Sequence, residues 1–318
     1  MSSQATDKLQ PSKELSIVTT LYRSQLYVAE FHRQACLACQ ALVGDDFEII
    51  YVVDGCPEES LEVALTVMQS DRRVRVVDLS RNFGQHKAIM TGLAYASGNR
   101  VFLIDSDLEE SPDWLIQFDA SMASVQCDVV FGVQRQRKGG LFEVLSGTIF
   151  HHGLRVLSEV RYPANFVTAR LMSRRYVDAL LQHHERELFL AGLWYLTGFS
   201  QVGVHVDKLS KGMSSYTLWR RIRMVALAVL SFSTVPLAVI LFAGMIIATV
   251  GGAFMLWQLL MWLRSASPVS GWATVIASVW LLGGLTITFL GVIGAYIGTI
   301  FAEVKQRPYT IVRAVHGN

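Results

Sequence analysis

The chain has 318 residues, 52% of them hydrophobic and 17% charged, and its mean hydropathy of +0.36 is higher than one soluble domain ordinarily shows. A formal net charge of +2 is too small to point to nucleic acid, and four scattered cysteines are too few for a disulfide framework. Part of the chain is therefore expected in lipid, and nucleic acid is not expected as a partner.

The first 13 residues are polar, with no apolar core before Leu15. They read as a polar tail with no secretory signal, which leaves the amino-terminal part in the cytoplasm. Apolar runs and helical periodicities then alternate. Strands are predicted over 15–20, 47–53, 74–78, 101–104 and 128–133, and helices over 28–42, 58–70, 85–96 and 112–125. Alternation at this spacing predicts an α/β domain with a mostly parallel sheet covered on both faces. Within the first helix, Cys36 and Cys39 form C-x-x-C. With no second ligand pair and no thioredoxin-like context, they read as small apolar positions on a helix face.

Three strand ends carry candidate chemistry. Val101-Phe-Leu-Ile runs straight into Asp105-Ser-Asp107-Leu-Glu109-Glu110, a buried strand delivering acids to its carboxyl end, where ligands bind in open α/β sheets. Carboxylates one residue apart point to different sides of an extended chain, so one can hold a ribose while the other meets a divalent cation. Oxygen ligands suit Mg²⁺ or Mn²⁺. Behind them, Ser111, Pro112 and Asp113 form an ordinary helix start. At the second strand end, Asp54-Gly55 reads equally as a turn or as a nucleotide contact. After the third strand, Ser80-Arg-Asn-Phe-Gly-Gln-His-Lys87 opens a helix whose amino terminus and basic residues suit a diphosphate. P-loop and dinucleotide fingerprints do not occur.

The second half changes character. Residues 218–230 mix Trp219, Arg220, Arg221 and Arg223 with apolar positions, predicting an interfacial helix over 217–232. Residues 235–262 and 271–301 contain no charge, and each exceeds the roughly 20 apolar residues that a bilayer span requires. Spans are expected over 233–263 and 271–301. The glycines Gly294 and Gly298 are spaced for close helix contact. Arginines before the first span, Lys305, Arg307 and Arg313 after the second, and only Arg264 between them predict a hairpin with both ends cytoplasmic. Residues 302–318 read as a cytoplasmic tail.

Taken together, Thr19-Thr-Leu-Tyr22, Val53-Asp54-Gly55, Arg81-Asn82-Phe83-Gly84 and Asp105-Ser-Asp107-Leu resemble family 2 glycosyltransferases of the GT-A fold. More narrowly they resemble the polyprenyl-phosphate glycosyltransferases. The resemblance continues through Arg170-Leu-Met-Ser-Arg174-Arg175, Gly212-Met-Ser214-Ser-Tyr216 and Gly291-Val-Ile-Gly294-Ala-Tyr296-Ile-Gly298, and so covers nearly the whole chain. Departures from the family pattern are Val53 and Asn165 where acids are usual, Glu109 for a glutamine, and Ser215 for a lysine, with Lys208 and Lys211 as substitutes.

The resemblance implies a GT-A domain over 14–216, followed by the interfacial helix and the membrane hairpin, in the inner (cytoplasmic) membrane with the catalytic domain on the cytoplasmic side. It implies metal-dependent, inverting transfer of a sugar from a nucleotide sugar to a polyprenyl phosphate, undecaprenyl phosphate in a bacterium, for cell-envelope glycans such as lipopolysaccharide. Donor contacts are expected from Thr20, Tyr22, Asp54, Arg81, Asn82, Gly84, Lys87, Asp105 and Ser106. Asp107 and Glu109 are expected at Mg²⁺ or Mn²⁺. Arg170, Arg174, Lys211 and Ser214 are expected at the acceptor phosphate, with Asp105, Asp107 and Arg170 as the catalytic set. Arg174 and Arg175 also read as helix-start surface charges. The alternatives are a processive polysaccharide synthase, disfavoured by the absence of Q-x-x-R-W, and a non-catalytic nucleotide-sugar-binding membrane scaffold. A homo-oligomer through the hairpin is a further expectation.

Overall fold

The computed structural model describes residues 12–57, 59–134, 166–185, 188–208, 235–264 and 271–317. The chain forms two compact units, the first of Met1–His151, Val160–Tyr216 and Arg307–Asn318, the second of His152–Glu159 and Thr217–Gln306. The interfacial helix expected over 217–232 lies outside the described residues, as does nearly all of the polar tail.

In the first unit β1 (Lys13–Leu21), β2 (Phe47–Val53), β3 (Val74–Leu79) and β4 (Gly98–Leu103) alternate with α1 (Val28–Val43), α2 (Ser60–Ser70) and α3 (Gln85–Tyr95). They are followed by α4 (Trp114–Val125), β5 (Val129–Gln134), β6 (Phe166–Ser173), α5 (Arg174–Leu180), α6 (Leu190–Leu196) and β7 (Gln201–Val206). Every residue of β2, Phe-Glu-Ile-Ile-Tyr-Val-Val, is buried, as a near-continuous apolar strand covered on both faces should be. On β1, Leu15, Ile17 and Leu21 join the core with Val28, Phe31, Ala35 and Cys39 of α1, whose spacing makes one helical face. Val18 points the other way and meets α3 at Gly92, where a Cβ would stand 2.6 Å from Val18 and 2.7 Å from Val52. Only glycine lets α3 lie this close to the sheet.

The strand order is β7-β5-β6-β4-β1-β2-β3-β8, β8 being Val312–His316 near the carboxyl end of the chain. The block β4-β1-β2-β3 is parallel throughout, so Leu21, Val53, Leu79 and Leu103 end on one edge. The sheet is mixed rather than mostly parallel: β6 runs antiparallel between β4 and β5, and β7 is parallel to β5. These directions bring the start of β6 and the end of β7 to that same edge.

The expected tail over 302–318 behaves differently from the expectation. Val312–His316 forms β8, antiparallel to β3. Ser80 donates its amide to Ile311 at 2.9 Å, and the Arg313 guanidinium lies 3.3 Å from Asp78. A free sheet edge invites unwanted pairing, and β8 covers the one at β3.

The second unit contains two helices, α7 (Val235–Arg264) and α8 (Trp272–Val304). The segment Leu282–Val304 of α8 has 23 residues, a mean hydropathy of 1.9 and no buried share. At about 1.5 Å per residue it exceeds a hydrocarbon core of about 30 Å. In α7 the apolar stretch Val239–Gly251 is shorter. Gly294 and Gly298 face open space, with no atom within 4 Å of a Cβ built on either.

Candidate active site

The site is assembled at the carboxyl edge of the parallel block. At the end of β2, Asp54 is buried and its two carboxylate oxygens accept the amides of Phe83 at 2.7 Å and Gly84 at 2.9 Å. Asn82 closes the loop by donating its side-chain amide to the Asp54 carbonyl at 3.2 Å. Burial pushes the Asp54 carboxyl up, against the two amides and Arg81, which pull it down. The acid that read equally as turn former or nucleotide contact is thus the organiser of the Arg81–Gly84 loop. Arg81 itself is exposed, its guanidinium 4.1 Å from the Phe83 ring centroid. Gly84, at φ 94°, precedes α3, and Lys87 sits partly buried in the first turn of that helix.

One turn residue of α3 anchors the loop from below. His86 is partly buried, and its Nδ1 lies 3.0 Å from the Leu188 carbonyl, so the neutral ring donates there. Burial lowers its pKa from 6.5 more than that bond raises it. The unfolded chain therefore takes up a proton, as pH falls below about 6.5, before the folded chain does. Stability attributable to His86 should be complete above that pH and should decline below it. Thermal unfolding measured from pH 8 to 5 should fall more steeply in the wild type than in His86→Gln; parallel profiles would remove His86 as the cause.

At the end of β4 the acids converge. Asp105 is partly buried and accepts Gln85 Nε2 at 2.8 Å. Burial raises its pKa, opposed by Thr168 and Lys208 and reinforced by the charge of Asp107. Ser106 is buried, donating to the Thr20 carbonyl at 3.1 Å and standing 3.2 Å from Ser24 Oγ. The chain then turns through Leu108 at φ 61°, with Asp107 Oδ1 accepting the Glu109 amide at 3.0 Å. This turn brings Glu110 inward, where it is fully buried and accepts the Thr168 amide at 3.1 Å.

Burial and the charge of Asp105 push the Glu110 carboxyl up to about 8. Lys208, just past β7, supplies the counter-charge. Its Nζ lies 3.2 Å from Glu109 and 3.6 Å from Glu110. Burial works against its charge, but Glu110, Asp105 and Glu109 raise its pKa overall. All the acid donors here are hard oxygens, and the buried Glu110 Oε2 has no hydrogen-bond partner among the described residues. The cluster therefore fits Mg²⁺ or Mn²⁺.

Asp54, Asp105, Ser106, Asp107 and Glu109 thus come to one edge with the backbone of Thr20 and the Arg81–Gly84 loop. Tyr22 stands beside Thr20 and is 46% exposed, with a guanidinium, that of Arg23, 5.6 Å from its ring centroid. Thr168 and Ser24 join the site unannounced by the sequence, while Glu110 and Gln85, named there only within the acidic run and the basic loop, turn out to make contacts of their own. Lys208 had been noted only as a substitute for a family lysine, although Gln-Val-Gly-Val-His-Val before it alternates as a strand should.

The expected acceptor cations fall elsewhere. Arg170 is 1% exposed and lies opposite Leu103 on one side and Phe131 on the other. Its guanidinium donates to the carbonyls of Thr168 and Val167 at 3.2 and 3.4 Å and stacks on Trp194. A clamp must present free N–H groups to a lipid phosphate, and this side chain is enclosed by the core.

Arg170→Ala should open a cavity under Trp194 and lower stability by roughly 2–4 kcal/mol, several degrees of unfolding temperature for a domain of this size. Unchanged stability with an acceptor KM raised tenfold would restore the clamp.

Arg174 and Arg175 follow Ser173, which pairs with Arg100 at the opposite edge of the sheet. There Arg174 donates to the carbonyls of Gly98 and Ala96 at 2.8–2.9 Å, and Arg175 pairs with Asp128. The reading as helix-start charges holds for both, and the phosphate role for Arg174 does not. Lys211, Ser214 and Asn165 lie outside the described residues.

Residues 16–181, which include both the Asp54 loop and the Asp105 cluster, match the family Glycosyl transferase family 2. The chain is 44% identical over 304 residues to a protein of Mycobacterium tuberculosis described as "Putative glycosyltransferases", covering 96% of this chain and 89% of that one. It is 28% identical over 306 residues to the bactoprenol glucosyl transferase of Shigella phage SfII, covering 95% and 98%. It is 30% identical over 315 residues to the undecaprenyl-phosphate 4-deoxy-4-formamido-L-arabinose transferase of Salmonella paratyphi B, covering 96% and 94%. With more than half of its length inside the family match and a relative this similar from end to end, the protein belongs to glycosyl transferase family 2 and is a glycosyltransferase.

Proposed function

We propose that the protein transfers a sugar from a nucleotide-sugar donor to the phosphate of a polyprenyl phosphate, undecaprenyl phosphate being the first candidate. The observation that carries this reading is the junction of two features in one chain. An acidic strand-end site holds Asp105, Asp107, Glu109 and Glu110 with Lys208, and the apolar segment Leu282–Val304 is long enough to enter a bilayer. The names of relatives aligned over nearly the whole chain, bactoprenol glucosyl transferase and undecaprenyl-phosphate sugar transferase, support the acceptor class.

The chemistry asks little of the protein as a base. A phosphate monoester has a second pKa near ~6 and arrives as a nucleophilic dianion at neutral pH. Its oxygen attacks the anomeric carbon as the bond to the donor diphosphate breaks, and the nucleoside diphosphate leaves with the electron pair. One displacement inverts the anomeric configuration. The remaining tasks are positioning and charge control.

Asp54 holds the Arg81–Gly84 loop in place, and the amino end of α3 with Lys87 offers positive potential for the donor diphosphate. Ser106 ties the β4 end to Thr20 and so sets the direction of Asp105. Asp107 with Glu109 would hold Mg²⁺ or Mn²⁺, which when bound supplies positive charge against the departing diphosphate. Lys211 and Ser214 are proposed at the acceptor phosphate.

We place the chain in the inner membrane as a two-span protein with its catalytic domain on the cytoplasmic side. What supports a second crossing is β8. The chain after α8 returns to the sheet beside β3, so a crossing by α8 requires another between Lys208 and α8, and α7 is the helix available among the described residues. A reporter fused after Asn318 should lie on the catalytic side, and a tag at Ser267 on the other; finding both on one side would remove the hairpin. For the reaction, the full chain in detergent should be given a panel of radiolabelled nucleotide sugars with undecaprenyl phosphate. One donor is expected to yield solvent-extractable lipid-linked sugar. Label appearing only in polymer, or in no lipid with any donor, would overturn the assignment.

A further inference from the structure

Away from the acidic site, three potential ligands of different chemistry meet on the helix-covered face of the sheet. His32 and Cys36 stand one turn apart on α1, and Asp71 follows α2, 35 residues along from Cys36. Their ligand atoms form a compact triangle. His32 Nε2 is 3.5 Å from Cys36 Sγ and 3.4 Å from Asp71 Oδ2, and Sγ is 3.7 Å from that same oxygen. The N···O separation is longer than the 2.7–3.2 Å of an ordinary direct hydrogen bond. Ligand bonds of about 2.3 Å to sulfur and about 2.0–2.2 Å to nitrogen and oxygen, set at tetrahedral angles, require edges of about 3.3–3.7 Å. The three measured edges match that requirement.

The surroundings are those of a supported metal site. The other ring nitrogen, His32 Nδ1, lies 3.3 Å from the Tyr51 hydroxyl, which fixes the ring with Nε2 facing the triangle. Arg73 grips Asp71 through Nε and Nη2, its Nη2 2.8 Å from the same Oδ2, and reaches Asp45 at 2.6 Å. Partners behind each ligand orient it and tune its basicity. Imidazole, thiolate and carboxylate together suit a borderline-soft divalent ion more than Mg²⁺. All three ligands are partly buried, not sealed, so an ion can enter and water can complete the fourth position. We propose that His32, Cys36 and Asp71 form a zinc site, separate from the transfer site, that ties α1 to the junction of α2 and β3.

Burial lowers the His32 pKa and so favours the neutral ring that a ligand must be. Burial, then Asp71, pushes the Cys36 thiol up to about 11. Zinc binding therefore releases the thiol proton to solvent as the S–Zn bond forms. Cys39, the other cysteine of the C-x-x-C, is fully buried in the hydrophobic core and is no part of the triangle.

The test uses the full chain in detergent, stripped with chelator and titrated with ZnCl₂ or CoCl₂. The wild type should take up zinc at a site that raises its unfolding temperature, and cobalt should give a thiolate-to-metal charge-transfer band. Cys36→Ser should abolish that band, and both Cys36→Ser and His32→Gln should weaken zinc binding at least tenfold. Asp107→Asn should leave the band unchanged, which separates this site from the acidic one. A wild type without the band, or a band that survives Cys36→Ser, would overturn the proposal. Circular dichroism of the zinc-free variants verifies that they fold.

Discussion

Asp107→Asn should lower sugar transfer by two to three orders of magnitude while leaving the protein folded. The effect belongs to the charge alone. Asparagine keeps an oxygen at the position where Asp107 accepts the Glu109 amide, so the left-handed turn at Leu108 is retained. The negative charge at this strand end is lost. Removing one preorganised electrostatic group from an active site typically costs about 10²–10³ in turnover. An isolated surface-near substitution that keeps its hydrogen bond changes stability by roughly 0.5 kcal/mol or less. Initial rates at saturating donor and acceptor, read beside the unfolding temperature, separate the two. The wild type in excess chelator should show a loss of similar size. Full turnover in Asp107→Asn, or undiminished wild-type turnover without divalent ions, would show that the charge at this strand end is not needed.

Gly55→Ala should be among the most disruptive single substitutions in the chain. Gly55 sits at φ 53° with the backbone of Arg81 and Asn82 directly against it. A Cβ there would lie 2.1 Å from both the Arg81 carbonyl carbon and the Asn82 nitrogen. The left-handed conformation alone costs a non-glycine residue about 1–2 kcal/mol. The clash is with backbone, which cannot rotate away, so the loop held by Asp54 has to move. A total loss of roughly 3 kcal/mol or more is expected, with the donor KM raised at least tenfold in whatever fraction folds. Gly44→Ala offers a comparison in which strain acts alone: φ is 60° and ψ −128° there, a conformation hostile to any L side chain, but no atom lies within 4 Å of the added Cβ. It should show the conformational cost without the clash. If Gly55→Ala unfolds no more readily than the wild type and binds donor normally, the close approach of the two loops is not a feature of the folded protein.

The local features of this protein were legible in its residues because they depend on near neighbours along the chain. The all-apolar β2 and the run from Val101 into Asp105 and Asp107 announced buried strands and an acidic strand end. The uncharged residues within 271–301 announced α8 in the same way. Pairing between distant strands has no such local signature. Nothing in Phe166–Ser173 says that it runs antiparallel between β4 and β5, and five residues in a polar tail do not announce β8.

Those non-local decisions reassigned the charges. The family resemblance and the phosphate-binding chemistry of guanidinium suggest Arg170 as a phosphate clamp, but its register opposite Leu103 and Phe131 places it in the interior. Arg174 was carried to the opposite edge of the sheet, and Lys208 was brought to the acids by the direction of β7. His32 and Asp71 draw no notice as separate letters, and Cys36 reads as a small apolar position on a helix face; they become a triangle only when α1 packs beside α2. The physical reason is the same in each case. Periodicity and composition set which face of an element is apolar, whereas the environment of a charged or ligating side chain depends on which distant backbone folds against it.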